Sequence, residues 1–277
     1  MDRKTQRQEE LASSKTPSRL LAFLLIPLSM LAACKREAPA DATVKVAAAA
    51  DLAFAFKDVA TAFEKKTGKK VTFTFGSTGN LAKQIDEGAK YDLFAAANVS
   101  YVDEVVKAGA CDPSTKAPYA RGRVVVWWRS EGAVAAPKSV ADLADARFVK
   151  IAIANPEHAP YGQAAEQALV TAGVWDAVKP KLVYGENVQQ TLKYAQTGNV
   201  EAAIVALSLA MVTEGGQYLA IDDAMHKPIE QALVVCTRGG NAQGGRDFAA
   251  FTQSAEGRPI MRRFGFLLPG ESMTRAP

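Results

Sequence analysis

The chain is poor in the residues that build transition-metal sites. Its 277 residues include two histidines, His158 and His226, and three cysteines, Cys34, Cys111 and Cys236. None of them clusters with carboxylates at ligand spacing, which argues against a zinc-type centre. There is no G-x-S-x-G elbow and no phosphate-binding loop carrying a lysine. The run Gly239–Gly245 is rich in glycine but lacks that lysine, and reads as a flexible surface loop. An excess of one charge is also missing. The net charge is +4, and residues 1–33 hold five basic side chains against three acidic ones. The remainder is close to neutral, without the concentrated basic face that a nucleic-acid binder needs.

No apolar run is long enough to span a bilayer comfortably. The best candidate, Leu20 to Leu31, is short, follows Arg19 and precedes Ala32-Ala33-Cys34. A basic flank, a short apolar stretch and small residues form the secretory pattern. Leu31-Ala32-Ala33-Cys34 resembles a bacterial lipobox, which implies cleavage before Cys34 and lipidation of its thiol. Residues 1–33 are therefore expected to be a lipoprotein signal and residues 34–42 a polar tether. The lipid would hold the protein on a bacterial membrane, facing the periplasm or the cell surface. Export to an oxidising compartment permits a disulfide between Cys111 and Cys236; two separate buried thiols are the alternative.

From Val44 onward, strand-length apolar runs alternate with helical periodicity. Asp51 is expected to open a helix whose buried face carries Leu52, Ala55, Phe56, Val59, Ala60 and Phe63, closed by Gly68. This alternation predicts an α/β protein with mainly parallel sheets. The length favours a two-lobed fold: residues 43–123 plus 238–277 form lobe one, and residues 124–237 form lobe two. The hinge strands are expected at 124–128 and 232–237, placing Cys111 and Cys236 near the crossings. Trp127 and Trp128 are expected to pack the two faces of a sheet.

In open α/β sheets, ligands bind beyond the carboxyl ends of the strands. Four such junctions stand out: Ala48–Asp51, Phe75–Asn80, Asn155–Gly162 and Gly185–Val188. The second, Phe75-Gly76-Ser77-Thr78-Gly79-Asn80, combines turn-forming glycines, two hydroxyls and a helix start. Its amides and the helix dipole favour an anion, and it contains no lysine or arginine. Neutral donors suit a small oxyanion that must later be released.

Taken in order, these junctions resemble the periplasmic molybdate-binding proteins, a branch of the two-lobed solute-binding proteins. The resemblance runs from about Val44 to Leu268. It rests on Ala47–Leu52, Phe75–Ile85, Tyr91–Ala97, the segment Asn155-Pro156-Glu157-His158-Ala159-Pro160-Tyr161-Gly162, and Arg263-Phe264-Gly265-Phe266. It implies a monomeric receptor for molybdate or tungstate that needs no cofactor and delivers its ion to the permease of an ABC importer. It also implies first-lobe contacts from Asp51, Thr78 and Ser77, and second-lobe contacts from the backbone amides of Tyr161 and Val188.

Two positions depart from the family's pattern. Members commonly carry serine or a neutral amide side chain where this chain has Asp51, and many place a tyrosine at the position of Ala206. A carboxylate about 4 Å from an anion is repelled by roughly 4 kcal/mol per unit charge at an effective dielectric of about 20. Asp51 is therefore expected to turn away as an N-cap and offer only its N–H. Tyr161 is a candidate to supply the hydroxyl that Ala206 lacks. The alternatives are a receptor for another oxyanion or small organic acid, and an exported enzyme on the same scaffold. The enzyme reading is disfavoured because the cleft hydroxyls show no base in the sequence.

Overall fold

The computed structural model describes residues 43–132 and 134–271. The expected signal sequence, Cys34 and the tether lie outside these residues. Among those described, no helix is long and apolar enough to cross a membrane.

The chain opens with β1 (Val44–Ala49), α1 (Ala55–Thr67), β2 (Val71–Gly76), α2 (Thr78–Asp86), β3 (Leu93–Ala96), α3 (Val99–Lys107) and β4 (Ala117–Gly122). It continues through β5 (Val124–Arg129), β6 (Ile151–Ala154), α4 (Pro160–Thr171), α5 (Trp175–Val178), β7 (Leu182–Gly185), α6 (Val188–Gln196), β8 (Ala202–Ala206), α7 (Leu207–Ala210) and β9 (Gly216–Ala220). It closes with β10 (Ile229–Val235), α8 (Ala242–Thr252) and α9 (Gly257–Arg263).

Two five-stranded sheets result, ordered β2-β1-β3-β10-β4 and β7-β6-β8-β5-β9. In the first, β1 pairs in parallel with β2 and β3, and β10 runs antiparallel to β3 and β4. In the second, β6 pairs in parallel with β7 and β8, and β5 runs antiparallel to β8 and β9. The two lobes thus share one plan: three parallel strands, then an antiparallel strand that arrives from the other lobe.

This register moves one expected boundary. β10 pairs along its whole length with lobe-one strands, from Ile229 opposite Gly122 to Val235 opposite Leu93. It therefore belongs to lobe one and is not part of lobe two ending at 237. The crossings fall at Arg123, between β4 and β5, and in residues 221–228, between β9 and β10. Cys111 and Cys236 are disulfide-bonded. Because Cys236 follows the end of β10 remote from the crossing, the bond lies away from the hinge rather than beside it.

One apolar core runs through both lobes and a second lies within lobe one, of the kind that periodicity predicts. The buried face of α1 carries Ala55, Phe56, Val59, Ala60 and Phe63, and Gly68 ends the helix in the left-handed region at φ 71°. Phe56 and Phe63 meet Phe248 of α8 edge-on, with centroids 5.6 and 5.4 Å apart, a favourable arrangement of aromatic quadrupoles. The α1 helix starts later than expected. A 3-10 turn, Ala50–Leu52, intervenes and lacks a side-chain cap. The glycine-rich run 239–245 is only partly loop. Gly244 and Gly245 are buried in α8, and a Cβ at Gly245 would lie 2.5 Å from the Asp92 carbonyl. In β5, Trp127 is buried and Trp128 half-buried.

Candidate functional site

The parallel strands of both sheets end at the cleft, so the turns after β1, β2, β6 and β7 converge there. One compact cavity is lined by Asp51, Ser77, Thr78, Tyr161 and Val188, with Asn187 beside them. All five residues expected at the site are therefore brought together. No lysine or arginine is among the lining residues.

Three helices begin at this cavity. Thr78 opens α2, Tyr161 is in the first turn of α4 behind Pro160, and Val188 opens α6. First-turn amides have no acceptor within their own helix, and the helix dipole makes that end positive. Asn187 caps α6 by accepting from the amides of Gln189 and Gln190, both at 3.0 Å. Its cap leaves the Val188 amide at the cavity. The close seat of α4 on β6 depends on Gly162, where a Cβ would lie 2.1 Å from the Ala154 carbonyl oxygen.

On the lobe-one side, the Thr78 hydroxyl oxygen accepts from the Ala97 amide at 3.1 Å. Its own proton remains a donor. Ser77 Oγ lies 2.8 Å from His158 Nδ1, and the Gly79 amide donates to the His158 carbonyl at 2.9 Å. These contacts join the lobes across the cleft. They also supply a base for a cleft hydroxyl, which the sequence did not reveal. Among the described residues, however, no carboxylate bonds the imidazole to orient it, as a nucleophile–base pair requires. Nor does any group of three or more His, Cys, Asp or Glu side chains there form a metal site.

Asp51 departs from expectation. It does not turn away to cap a helix; its carboxylate is buried, 1% exposed, and lines the cavity. Oδ2 accepts from Gln231 Nε2 at 2.7 Å and from the Tyr161 hydroxyl at 2.9 Å. Gln231 Nε2 also donates to the Tyr161 oxygen at 3.2 Å, while Gln231 Oε1 accepts from the Tyr119 hydroxyl at 2.7 Å. The Tyr161 hydroxyl is thus committed to Asp51 and does not replace the donor that Ala206 lacks. Ser208 Oγ donates to the Asp51 carbonyl at 2.8 Å. Oδ1 of Asp51 is buried with no hydrogen-bond partner.

Burial pushes the Asp51 carboxyl up to about 6, against the opposing hydrogen bonds from Gln231 and Tyr161. Burial, followed by the nearby Asp51 charge, raises the Tyr119 and Tyr161 hydroxyls well above the ordinary phenol range. This polar cluster is tightly enclosed: a Cβ at Gly122 would fall 2.1 Å from the Tyr161 hydroxyl and 2.8 Å from Gln231 Nε2.

Sequence reasoning missed Gln231, Tyr119 and Ser208. Gln231 had a legible signal, a lone amide within the apolar run Ile229–Val235. Tyr119 did not, because it lies in β4, whose sequence Ala-Pro-Tyr-Ala-Arg-Gly has no strand-like alternation.

The geometry defines a two-lobed binding protein whose interlobe cleft presents neutral donors to a small ligand. The chain matches the family model for bacterial extracellular solute-binding proteins over residues 44–267, and it belongs to that family. It is 34% identical to the molybdate-binding protein ModA of Azotobacter vinelandii over 89% of this chain and 97% of that one. Identity to the ModA of Rhodobacter capsulatus is 33%, over 83% and 90% of the two chains. The solved structure of the Azotobacter vinelandii periplasmic molybdate-binding protein superposes with a TM-score of 0.76 at 27% identity, covering 82% of this chain and 99% of that one.

Proposed function

We propose that this protein is the extracytoplasmic receptor of a molybdate ABC importer. It takes one molybdate or tungstate ion between its lobes and presents it to the membrane permease. The observation that carries this reading is the convergence of three helix starts and the Thr78 hydroxyl on one cavity without a cation. Such a site holds an anion through N–H and O–H donors. Hydrogen bonds to a charged group contribute roughly 1.5–3 kcal/mol each, so several suffice for tight binding. The two ModA relatives described above match along nearly their whole length and are named as molybdate-binding proteins, which supports the same ion here.

Binding and release rather than turnover is the reading that Ser77 and His158 support, since among the described residues no carboxylate bonds the imidazole. Lipidation at Cys34 would hold the protein beside its permease. The test is a thermal melt with molybdate, tungstate, sulfate and phosphate added separately. A ligand at about a thousand times its dissociation constant stabilises by about 4 kcal/mol. Molybdate and tungstate are expected to raise the midpoint strongly and sulfate little. A response to phosphate alone would favour instead an oxyanion that brings its own hydrogen to Asp51.

A further inference from the structure

Asp51 Oδ1 is the one atom of the site whose bonding is incomplete in a way that bears on the ligand. It is an acceptor on a residue that is 1% exposed and lines the cavity, and no other residue donates to it. The other oxygen of the same carboxylate is held by Gln231 Nε2 and the Tyr161 hydroxyl. The group therefore cannot swing out of the cavity without breaking both bonds. A deprotonated oxyanion offers only acceptors, so its arrival would set two acceptors of like charge against each other in a buried space. A single hydrogen between them removes the conflict.

We infer that this site takes its oxyanion together with one proton, held between Asp51 Oδ1 and an oxygen of the ion. Asp51 is thus a ligand-binding donor in the complex and a carboxylate in the ligand-free protein at neutral pH. The inference rests on the molybdate reading above. Molybdate is a dianion at neutral pH and brings no hydrogen, so the proton comes from solvent: dianion, carboxylate and one proton combine, and Oδ1–H donates to the ion. Oδ2 keeps both of its donors throughout, so the bond from Tyr161 that joins the lobes survives protonation.

No other group facing Asp51 competes for this role. Tyr161 from α4 and Tyr119 from β4 are the titratable neighbours, and both stay neutral because burial raises them. Gln231 from β10 and Ser208 from α7 do not titrate. No ion pair to Asp51 exists among the described residues. His158 bonds Ser77 and not Asp51. The upward shift of Asp51 to about 6 means that the ligand-free protein is ionised there above neutrality, so the proton must be acquired on binding.

The test is calorimetric titration of the protein with molybdate at pH 7.5 in two buffers of different ionisation enthalpy, repeated across pH 5–8. The expected result is uptake of about one proton per ion at pH 7.5, with affinity rising about tenfold per unit as pH falls towards 6 and levelling below. Asp51→Asn is expected to bind molybdate without proton uptake and with a flat pH profile. Binding by the unaltered protein with no net proton exchange at pH 7.5 overturns the inference while leaving the molybdate reading intact. Uptake that persists in Asp51→Asn overturns it in favour of His158. Absence of molybdate binding at every pH overturns the molybdate reading, and this inference with it.

Discussion

The two lobes are built on one strand plan but contribute to the cleft in different ways. Lobe two offers backbone: the first turns of α4 and α6, with Asn187 fixing the second by capping its next two amides. Lobe one offers side chains: Thr78 tied to Ala97, Ser77 tied to His158, and Asp51 tied to Gln231 and Tyr161. A backbone donor is set by the fold and carries no net charge. A side-chain cluster depends on residue identity and, here, contains one titratable carboxylate. On the proposed reading, anion binding draws on both lobes, while the buried carboxylate at the cavity comes from lobe one.

The difference can be broken most strongly from lobe one, which alone carries the disulfide. Cys111→Ser with Cys236→Ser opens a loop closed over a separation of 125 residues. It is expected to lower stability by about 2–5 kcal/mol in denaturant unfolding, with little change in molybdate affinity, since the bond lies away from the cleft. Next comes Asp51→Asn. The Asp51 carboxyl is raised from 3.8 to about 6 by folding. The folded state therefore holds its proton more tightly, and stability is greatest below about 4, falls as pH rises towards 6 and is level above. That shift corresponds to about 3 kcal/mol. Asp51→Asn is expected to abolish this slope and to stabilise the ligand-free protein at pH 7.5, as measured by urea unfolding across pH 4–8.

On the lobe-two side, Val188→Pro removes one amide donor while placing proline at a first helical position, which helices accept. Asn187 before it has φ −148° and ψ 170°, compatible with a following proline. Affinity for molybdate is expected to fall about 10- to 100-fold by calorimetry, with a small change in melting temperature. The smallest effect is Asn187→Ala, about 1 kcal/mol of stability from the lost cap, read by thermal unfolding.

How much of this was legible in the sequence follows the same division. The α/β alternation, the buried face of α1 and the strand-to-helix junctions are periodic or local signals, and Ser77, Thr78, Tyr161 and Val188 fall at the cavity as their positions imply. Asp51 is at the cavity as its position implies, but its side chain is not turned away. Charge repulsion alone points it away, and the donors that hold it lie far along the chain: Gln231 is 180 residues away and Tyr161 is 110. The second crossing differs from expectation for a related reason: β10 reads as an apolar strand, and only its pairing with β3 and β4 shows which lobe owns it. Long-range hydrogen bonds leave no spacing to read.

The proposed oxyanion sits between Thr78 and the starts of α4 and α6. The most direct measurement is anomalous X-ray scattering from a crystal of the protein grown with tungstate, since tungsten marks its own position. One strong peak is expected in the cleft, within hydrogen-bonding reach, through the ion's oxygens, of Thr78 Oγ1, the Tyr161 and Val188 amides and Asp51 Oδ1. A tungsten peak elsewhere, or an occupied cleft whose ion avoids Asp51, would contradict it.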